Sequence, residues 1–164
     1  MKIIRNKQIV EDNWQQLSDD QSSPSGDIIV SLSRWQAGKQ ELLKRGTGLG
    51  VLLLGSDKVE EIVDDLDKLS VISLDFALFA DGRGYSQARL LRDKYHYAGG
   101  IRAVGDVRRD QIDFMHRCGI SEFVPAEHSN AEDVLNAFSE ISNLYQSDSL
   151  NNPTIRERRG ESGL

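Results

Sequence analysis

Five short apolar runs recur along the middle of the chain, separated by longer and more polar stretches. Most of the runs are continuous rather than alternating, which is typical of strands that are covered on both faces. The second and fourth end at Gly55 and Gly105, and a glycine is a common signal for a turn. The pattern therefore predicts five strands, at residues 28–32, 51–54, 69–76, 101–104 and 122–125.

The stretches between the runs show the spacing of amphipathic helices. In the second stretch, for example, Val59, Ile62 and Leu66 share one face of a helix, and acidic residues occupy the other. The predicted helices cover residues 35–44, 56–66, 86–95, 106–117 and about 130–145. We expect Ser33 and Asp106 to cap the first and the fourth of them, because each side chain can accept a bond from a free helical N–H group.

The alternation of strands and helices predicts a parallel sheet. We expect an α/β domain over residues 27–146, with a five-stranded, mainly parallel, doubly wound sheet and helices on both faces, as in Rossmann-like and flavodoxin-like proteins. A partial TIM-barrel-like βα repeat is the alternative, because five such units also resemble part of an eightfold barrel. Residues 1–26 are predicted to be an N-terminal arm and linker, with a strand or hairpin in residues 2–10. Residues 147–164 are predicted to be a disordered tail.

The composition excludes several classes of function. The chain has 164 residues, a formal net charge of −6 and a pI of about 5.1, which argues against a general nucleic-acid binder. The single cysteine, Cys118, excludes an intrachain disulfide and suits a reducing compartment. No Cys/His cluster has zinc spacing, and no apolar stretch approaches the roughly 20 residues that span a bilayer. We therefore predict a cytoplasmic protein without a metal site and without a membrane partner.

The charge is unevenly distributed along the chain. Residues 81–117 hold eight Lys/Arg against five Asp/Glu, whereas the remainder holds 12 against 21. A basic segment in an acidic protein indicates that a small anion or a protein partner binds there.

Two loops in this basic segment are candidate ligand-binding elements. Ligands of open parallel sheets bind beyond the carboxyl ends of the strands, where the third run leads to residues 81–84 and the fourth to residues 105–106. Both loops are expected to open a helix, whose free N–H groups attract anions. Arg83 offers a planar fork for a carboxylate, a phosphate or a sulfur oxyanion. Asp81 and Asp106 are candidate catalytic acids or bases and, equally, candidate turn or cap residues.

Further arginines follow these loops. Ser86 and Arg89 share a helical face by their three-residue spacing, although a solvated face with ordinary ion pairs is the alternative for such arginines. Arg102 lies inside the fourth run, where a charge is costly unless it is paired. We expect it to lie at a sheet edge or to pair with Asp81 or Asp106. The predicted anion- or ligand-binding residues are Gly82, Arg83, Gly84, Tyr85, Ser86, Arg89, Arg102, Gly105 and Asp106.

The most specific pattern in the chain lies in the same segment. Residues 81–92 read Asp-Gly-Arg-Gly-Tyr-Ser-Gln-Ala-Arg-Leu-Leu-Arg, and residues 102–107 read Arg-Ala-Val-Gly-Asp-Val, followed by Asp110-Gln111. In these motifs the chain resembles a bacterial family known only as domain of unknown function 934. The resemblance covers about residues 28–138, with an alanine at position 77 where a proline is expected.

The resemblance implies a role for the chain. Members of that family are often labelled oxidoreductases, and their genes commonly lie beside the gene for the haemoprotein of assimilatory sulfite reductase. Our leading hypothesis is an accessory or regulatory protein of sulfate or sulfite reduction, with an anion-binding surface and the haemoprotein as its partner. A small oxidoreductase, or another enzyme acting on a sulfur- or phosphate-bearing substrate, is the alternative. A structural or oligomer-forming domain is the third hypothesis. The sequence leaves catalysis, the cofactor and homo-oligomer formation open.

Overall fold

Eight strands form one sheet in the computed structural model, which describes residues 1–77, 81–126 and 129–139. The strands are β1 (Lys2–Arg5), β2 (Gln8–Glu11), β3 (Gln15–Gln16), β4 (Ile28–Ser31), β5 (Leu49–Leu53), β6 (Val71–Phe76), β7 (Gly100–Gly105) and β8 (Glu122–Phe123). The five predicted strands correspond to β4–β8. The first 26 residues supply the other three strands, and β1 and β2 pair as a hairpin, one of the two forms predicted for residues 2–10.

The strand order corrects the predicted topology. The sheet runs β2-β1-β8-β7-β6-β5-β4-β3, and β3 to β8 are parallel and adjacent in chain order. Each crossover therefore steps in the same direction, whereas a doubly wound sheet reverses its direction at one point. The expectation of a five-stranded, doubly wound sheet is wrong, and the sequential order agrees with the partial-barrel alternative. Strand β1 pairs antiparallel with both β8 and β2.

The sheet curls until its two edges come close together. Strands β2 and β3 form opposite edges, yet only residues 12–14 separate them along the chain. The edges of a flat eight-stranded sheet would lie about 33 Å apart, whereas so short a connection spans at most about 14 Å. The sheet therefore has a concave inner face, and residues 12–14 connect its two edges.

The helices all contribute to one apolar core on the convex, outer face. Every second strand residue points there, as Val51, Ile72 and Ile101 do, and these side chains pack with Trp35 of the first helix and Met115 of a later one. The prediction of helices on both faces is wrong, because right-handed crossovers that all step in one direction place every helix on the same side. The outer face therefore carries the main apolar core, whereas the inner face combines a few buried apolar residues, such as Ile29 and Val71, with polar ones.

The helices begin and end close to the predicted positions. They are α1 (Leu32–Leu43), a 3₁₀ helix (Val59–Lys68), α2 (Arg83–Arg89) with a π-helical extension (Leu90–Lys94), a 3₁₀ turn (Arg109–Gln111) leading into α3 (Ile112–Arg117), and α4 (Ala131–Asn136) with a 3₁₀ turn (Ala137–Ser139). Ser31 rather than Ser33 caps α1, since its Oγ accepts a hydrogen bond from the backbone N–H of Arg34 at 3.1 Å. In the part of the chain that the structure describes, no helix is long and apolar enough to cross a membrane. Residues 140–145 of the last predicted helix and the tail at 147–164 lie outside the described residues.

Candidate functional site

Two arginine–aspartate pairs mark the edge where the parallel strands end. After β6, the carboxylate of Asp81 accepts hydrogen bonds from Nε of Arg83 at 2.8 Å and from Nη2 at 2.7 Å. These bonds hold the pKa of Asp81 well below its usual range, at about 2. The Arg83 side chain is 62% exposed. A carboxylate held so firmly in its charged form is a poor proton donor at neutral pH, so this pair is better suited to recognition than to acid–base catalysis.

An aspartate followed two residues later by an arginine also occurs after β7. Asp106 accepts a hydrogen bond from Nε of Arg108 at 2.8 Å. Gly105, the last residue of β7, has a φ of +95°. A Cβ added to it would lie 2.9 Å from the backbone carbonyl carbon of Phe76, so this position favours glycine. The prediction that Asp106 caps a helix is wrong. Helical residues begin only at Arg109, and Arg108 rather than Asp106 occupies the N-cap position.

Helix α2 packs tightly on the outer face through two predicted site residues. A Cβ on Gly84 would lie 2.6 Å from Cζ of Phe76, so only a glycine allows this contact. The ring of Tyr85 lies 5.1 Å from that of Phe76 and 5.0 Å from that of Phe114. A Cβ on Gly82 would meet no atom of the described residues within 4 Å. Phe114 is 44% exposed and, through its contact with Tyr85, extends the aromatic cluster of α2 to the surface.

The predicted residues further along α2 face elsewhere. Ser86 is exposed, and Nε of Arg89 lies 3.5 Å from Sγ of Cys118 at the end of α3. Arg92 is half-buried and donates to the carbonyl oxygens of Gly99 and Gly119, each at 2.9 Å. Burial lowers the pKa of Arg92. Arg89 and Arg92 thus serve the packing of α2 against the loops around β7 and α3.

Arg102 occupies the centre of a buried charge network on the inner face. Its Nη1 and Nη2 each donate to an oxygen of Asp12 at 2.9 Å, and its Nε donates to Glu122 at 2.9 Å. Glu122 also accepts from Nε of Arg5 at 2.8 Å. The Arg102 and Asp12 side chains are 3% and 1% exposed. Two arginines and two carboxylates therefore neutralise one another inside the curl of the sheet, and Asp12 ties the connection between the sheet edges to β7.

These contacts correct the expected surroundings of Arg102. Its strand is central rather than at an edge, and neither Asp81 nor Asp106 is its partner. Glu122 lies directly opposite on β8, so the two side chains share a face by register. Since α2 packs on the outer face, Arg102 is not gathered with Arg83 and Arg89 into one pocket.

A cleft of about 350 Å³ opens beside the network, near the carboxyl ends of β6, β7 and β8. Asp75 and Val104 face it from adjacent strands, and Trp14 and Gln16 face it from the opposite edge of the sheet. Gln16 also lines a larger cleft of about 700 Å³, which lies over the carboxyl ends of β4 and β5. The two clefts are therefore neighbours along the carboxyl edge.

Of the residues that line the smaller cleft, sequence reasoning predicted Arg102 and Gly105 but missed Asp12, Trp14 and Asp75. Burial raises the pKa of Asp75, and the charge of Asp81 raises it further. Asp12 and Trp14 fell in the predicted linker. The signal that could have found Asp75 is the alternation of Ser73 and Asp75 within an otherwise apolar run, which places both on one face of β6. Among residues 1–77, 81–126 and 129–139, no group of three His, Cys, Asp or Glu side chains could hold a metal ion.

The fold and this edge define the class of protein: an α/β protein with a singly wound, curled sheet and arginine–aspartate pairs where its strands end. The chain belongs to the family described as bacterial protein of unknown function, DUF934, whose family model matches residues 50–155. This confirms the family expected from the motifs at residues 81–92 and 102–107, although the match begins later than residue 28. A comparison with curated proteins finds no match.

Proposed function

We propose that the chain is an accessory or regulatory protein of assimilatory sulfite reduction that docks on the reductase haemoprotein. The docking surface would consist of Leu54, Asp81, Arg83, Arg108 and Phe114, which we name the carboxyl-edge surface. The partner comes from the gene neighbourhood that the family resemblance implies. The surface comes from the side chains that this edge exposes.

The observation that carries this proposal is the exposure of arginine and large apolar side chains on the loops and helices that follow the carboxyl ends of β5, β6 and β7. Arg83 and Arg108 are 62% and 52% exposed, and Leu54 and Phe114 are 46% and 44% exposed. Gly55, next to Leu54, lies so close to Arg83 that an added Cβ would be 3.0 Å from its Nε. Arginine and aromatic residues are enriched in protein interfaces, and the energetically dominant residues are often of these types.

The Asp81–Arg83 pair also orients the guanidinium for a partner. Asp81 engages Nε and Nη2, and Nη1 makes no hydrogen bond within the described part of the chain. A carboxylate of the partner could accept from Nη1 without breaking the pair. Exposed arginines on an otherwise acidic protein would steer encounter with an acidic surface and make the association rate sensitive to salt.

Co-purification tests the docking. The tagged chain is expected to retain the host's sulfite reductase haemoprotein, and Arg83→Glu is expected to release it, because the substitution places two carboxylates side by side at the interface. Lys44→Glu makes the same charge change at the exposed end of α1 and should have no effect. The proposal would be overturned if the wild type, Arg83→Glu and Lys44→Glu all retained the haemoprotein, or if none of them did.

A second pair of variants tests the apolar part of the surface. Phe114→Ala should weaken retention, whereas Leu43→Ala, which removes a comparably exposed side chain from α1, should not. Circular dichroism of each variant shows whether the fold is kept. Equal retention by these two variants would remove Phe114 from the interface.

A further inference from the structure

The two neighbouring clefts carry an excess of negative charge. In the larger cleft the charged lining residues that the structure describes are Asp19, Asp57 and Glu61, and no lysine or arginine lines it. Their described partners are uncharged. Ser31 and Ser33 donate to Asp19, the backbone N–H of Leu54 donates to Asp57 at 2.8 Å, and Gln36 donates to Glu61 at 2.8 Å. These bonds fix the carboxylates in place and leave their charge uncompensated.

The smaller cleft contributes one more uncompensated carboxylate. Its arginine, Arg102, is fully engaged by Asp12 and Glu122 and adds no net positive charge. The Asp75 carboxylate has no hydrogen bond or ion pair with any described residue, although the residue is partly buried on the inner face. A carboxylate removed from water without a partner costs free energy, which an N–H donor carrying positive charge would recover.

The other walls of the smaller cleft are mostly apolar, apart from Gln16. Trp14, Val104 and Val124 line the same cleft as Asp75, and an indole face attracts organic cations. The volume of about 350 Å³ falls in the range of sites for small molecules, which usually combine apolar walls with a few placed polar groups. An anion in the two clefts would meet four uncompensated carboxylates. The cations of the smaller cleft are paired: Arg102 with Asp12 and Glu122, and the N-terminal ammonium of Met1 with Glu11 at 3.6 Å.

We propose that the inner clefts bind an organic nitrogen cation, an ammonium or amidinium group on an apolar or aromatic body. Asp75 accepts hydrogen bonds from the cationic head, and Trp14 packs against the body. Asp19, Asp57 and Glu61 attract the ligand and accommodate a second cationic group when the molecule is long enough. This site shares Leu54 with the carboxyl-edge surface. Its carboxylates and Trp14 lie outside that surface, so ligand binding can be tested without a protein partner.

Benzamidine is a suitable probe, and the tryptophan side chains provide the readout. The chain has two tryptophans. Trp14 lines the cleft, and Trp35 is 1% exposed with its Nε1 donating to Asp65 at 3.3 Å. In ¹H–¹⁵N spectra, benzamidine should move the indole signal of Trp14 saturably and leave that of Trp35 in place. Trp14→Phe assigns the signals.

Matched variants identify the carboxylate. Asp75→Asn should weaken benzamidine binding at least about tenfold, because it removes a charge-assisted hydrogen bond. Asp93→Asn makes the same charge change on the exposed side of the π-helical extension and should bind like the wild type. The rest of each spectrum shows that the variant is folded. Benzoate, the anionic analogue, should leave the Trp14 signal in place.

Three results would overturn the proposal. The first is the absence of a saturable Trp14 shift with benzamidine. The second is an unchanged affinity in Asp75→Asn. The third is a saturable shift with benzoate in place of benzamidine, which would assign the cleft to an anion.

Discussion

The inner face and the carboxyl edge of the sheet use their arginines in opposite ways. Arg102 on the inner face and Arg83 beyond the carboxyl edge each hold an aspartate through two nitrogen–oxygen contacts of 2.7–2.9 Å. Arg102 is 3% exposed and Arg83 is 62% exposed. The pairs share their chemistry and differ in burial, so one holds the fold together and the other is available to a partner.

The largest expected effect is the loss of stability when the buried arginine is removed. Arg102→Ala would leave Asp12 buried without a charged partner and Glu122 with only the half-exposed Arg5, at a cost of about 3–5 kcal/mol in the free energy of unfolding. Urea denaturation followed by circular dichroism measures it. Arg83→Ala is the matched control and should leave the midpoint unchanged within error.

A triple variant sharpens the interpretation. It combines Arg102→Met, Asp12→Asn and Glu122→Gln, and so removes the charges on both sides of the contact. Its free energy of unfolding should therefore be higher than that of Arg102→Ala. A loss below about 1 kcal/mol in Arg102→Ala itself would contradict the view that the network secures the connection between the sheet edges.

The next effect concerns how α2 sits on the outer face. Gly84→Ala would push a methyl group against the Phe76 ring, which lies 2.6 Å from the added atom. Such overpacking costs about 1–3 kcal/mol, and at most about 1 kcal/mol returns through the better helix propensity of alanine. Gly82→Ala has open space around it and should change stability by less than about 0.5 kcal/mol. Thermal denaturation of the two variants distinguishes them, and equal midpoints would contradict the close packing.

The two faces also explain which parts of the fold the sequence could predict. The apolar runs located β4–β8 within a few residues, because their outward side chains form the core with the helices. The strand order is not encoded in those runs, since a singly wound and a doubly wound sheet need similar helices and strands. The alternation Ile101-Arg102-Ala103 was a usable signal of a polar inner face, and it argued against helices on both sides.

The candidate site was harder to predict than the fold. The sequence located the carboxyl-edge loops correctly, and the exposed Asp81–Arg83 pair lies there. It could not assign Arg102 its partners, because Asp12 is 90 residues away along the chain and meets it only when the sheet curls. For the same reason the apolar surroundings of Asp75 arise from Trp14, which comes from a stretch without strong periodicity.

The smallest effect tests Asp75 on the inner face. Burial raises its pKa in the folded chain above the ordinary 3.8, so the folded state binds a proton more readily than the unfolded state does. The stability that this group contributes is present at acid pH and is lost as the pH rises from about 3.8 through the raised pKa. At pH 7 the charged Asp75 is therefore a small cost, and Asp75→Asn should raise the free energy of unfolding by up to about 1 kcal/mol.

Thermal denaturation of wild type and variant from pH 4 to pH 7 isolates this group, since the other carboxylates titrate in both proteins. The advantage of the variant should grow with pH. A constant difference would mean that Asp75 is solvated like a surface carboxylate and needs no ligand to offset its burial.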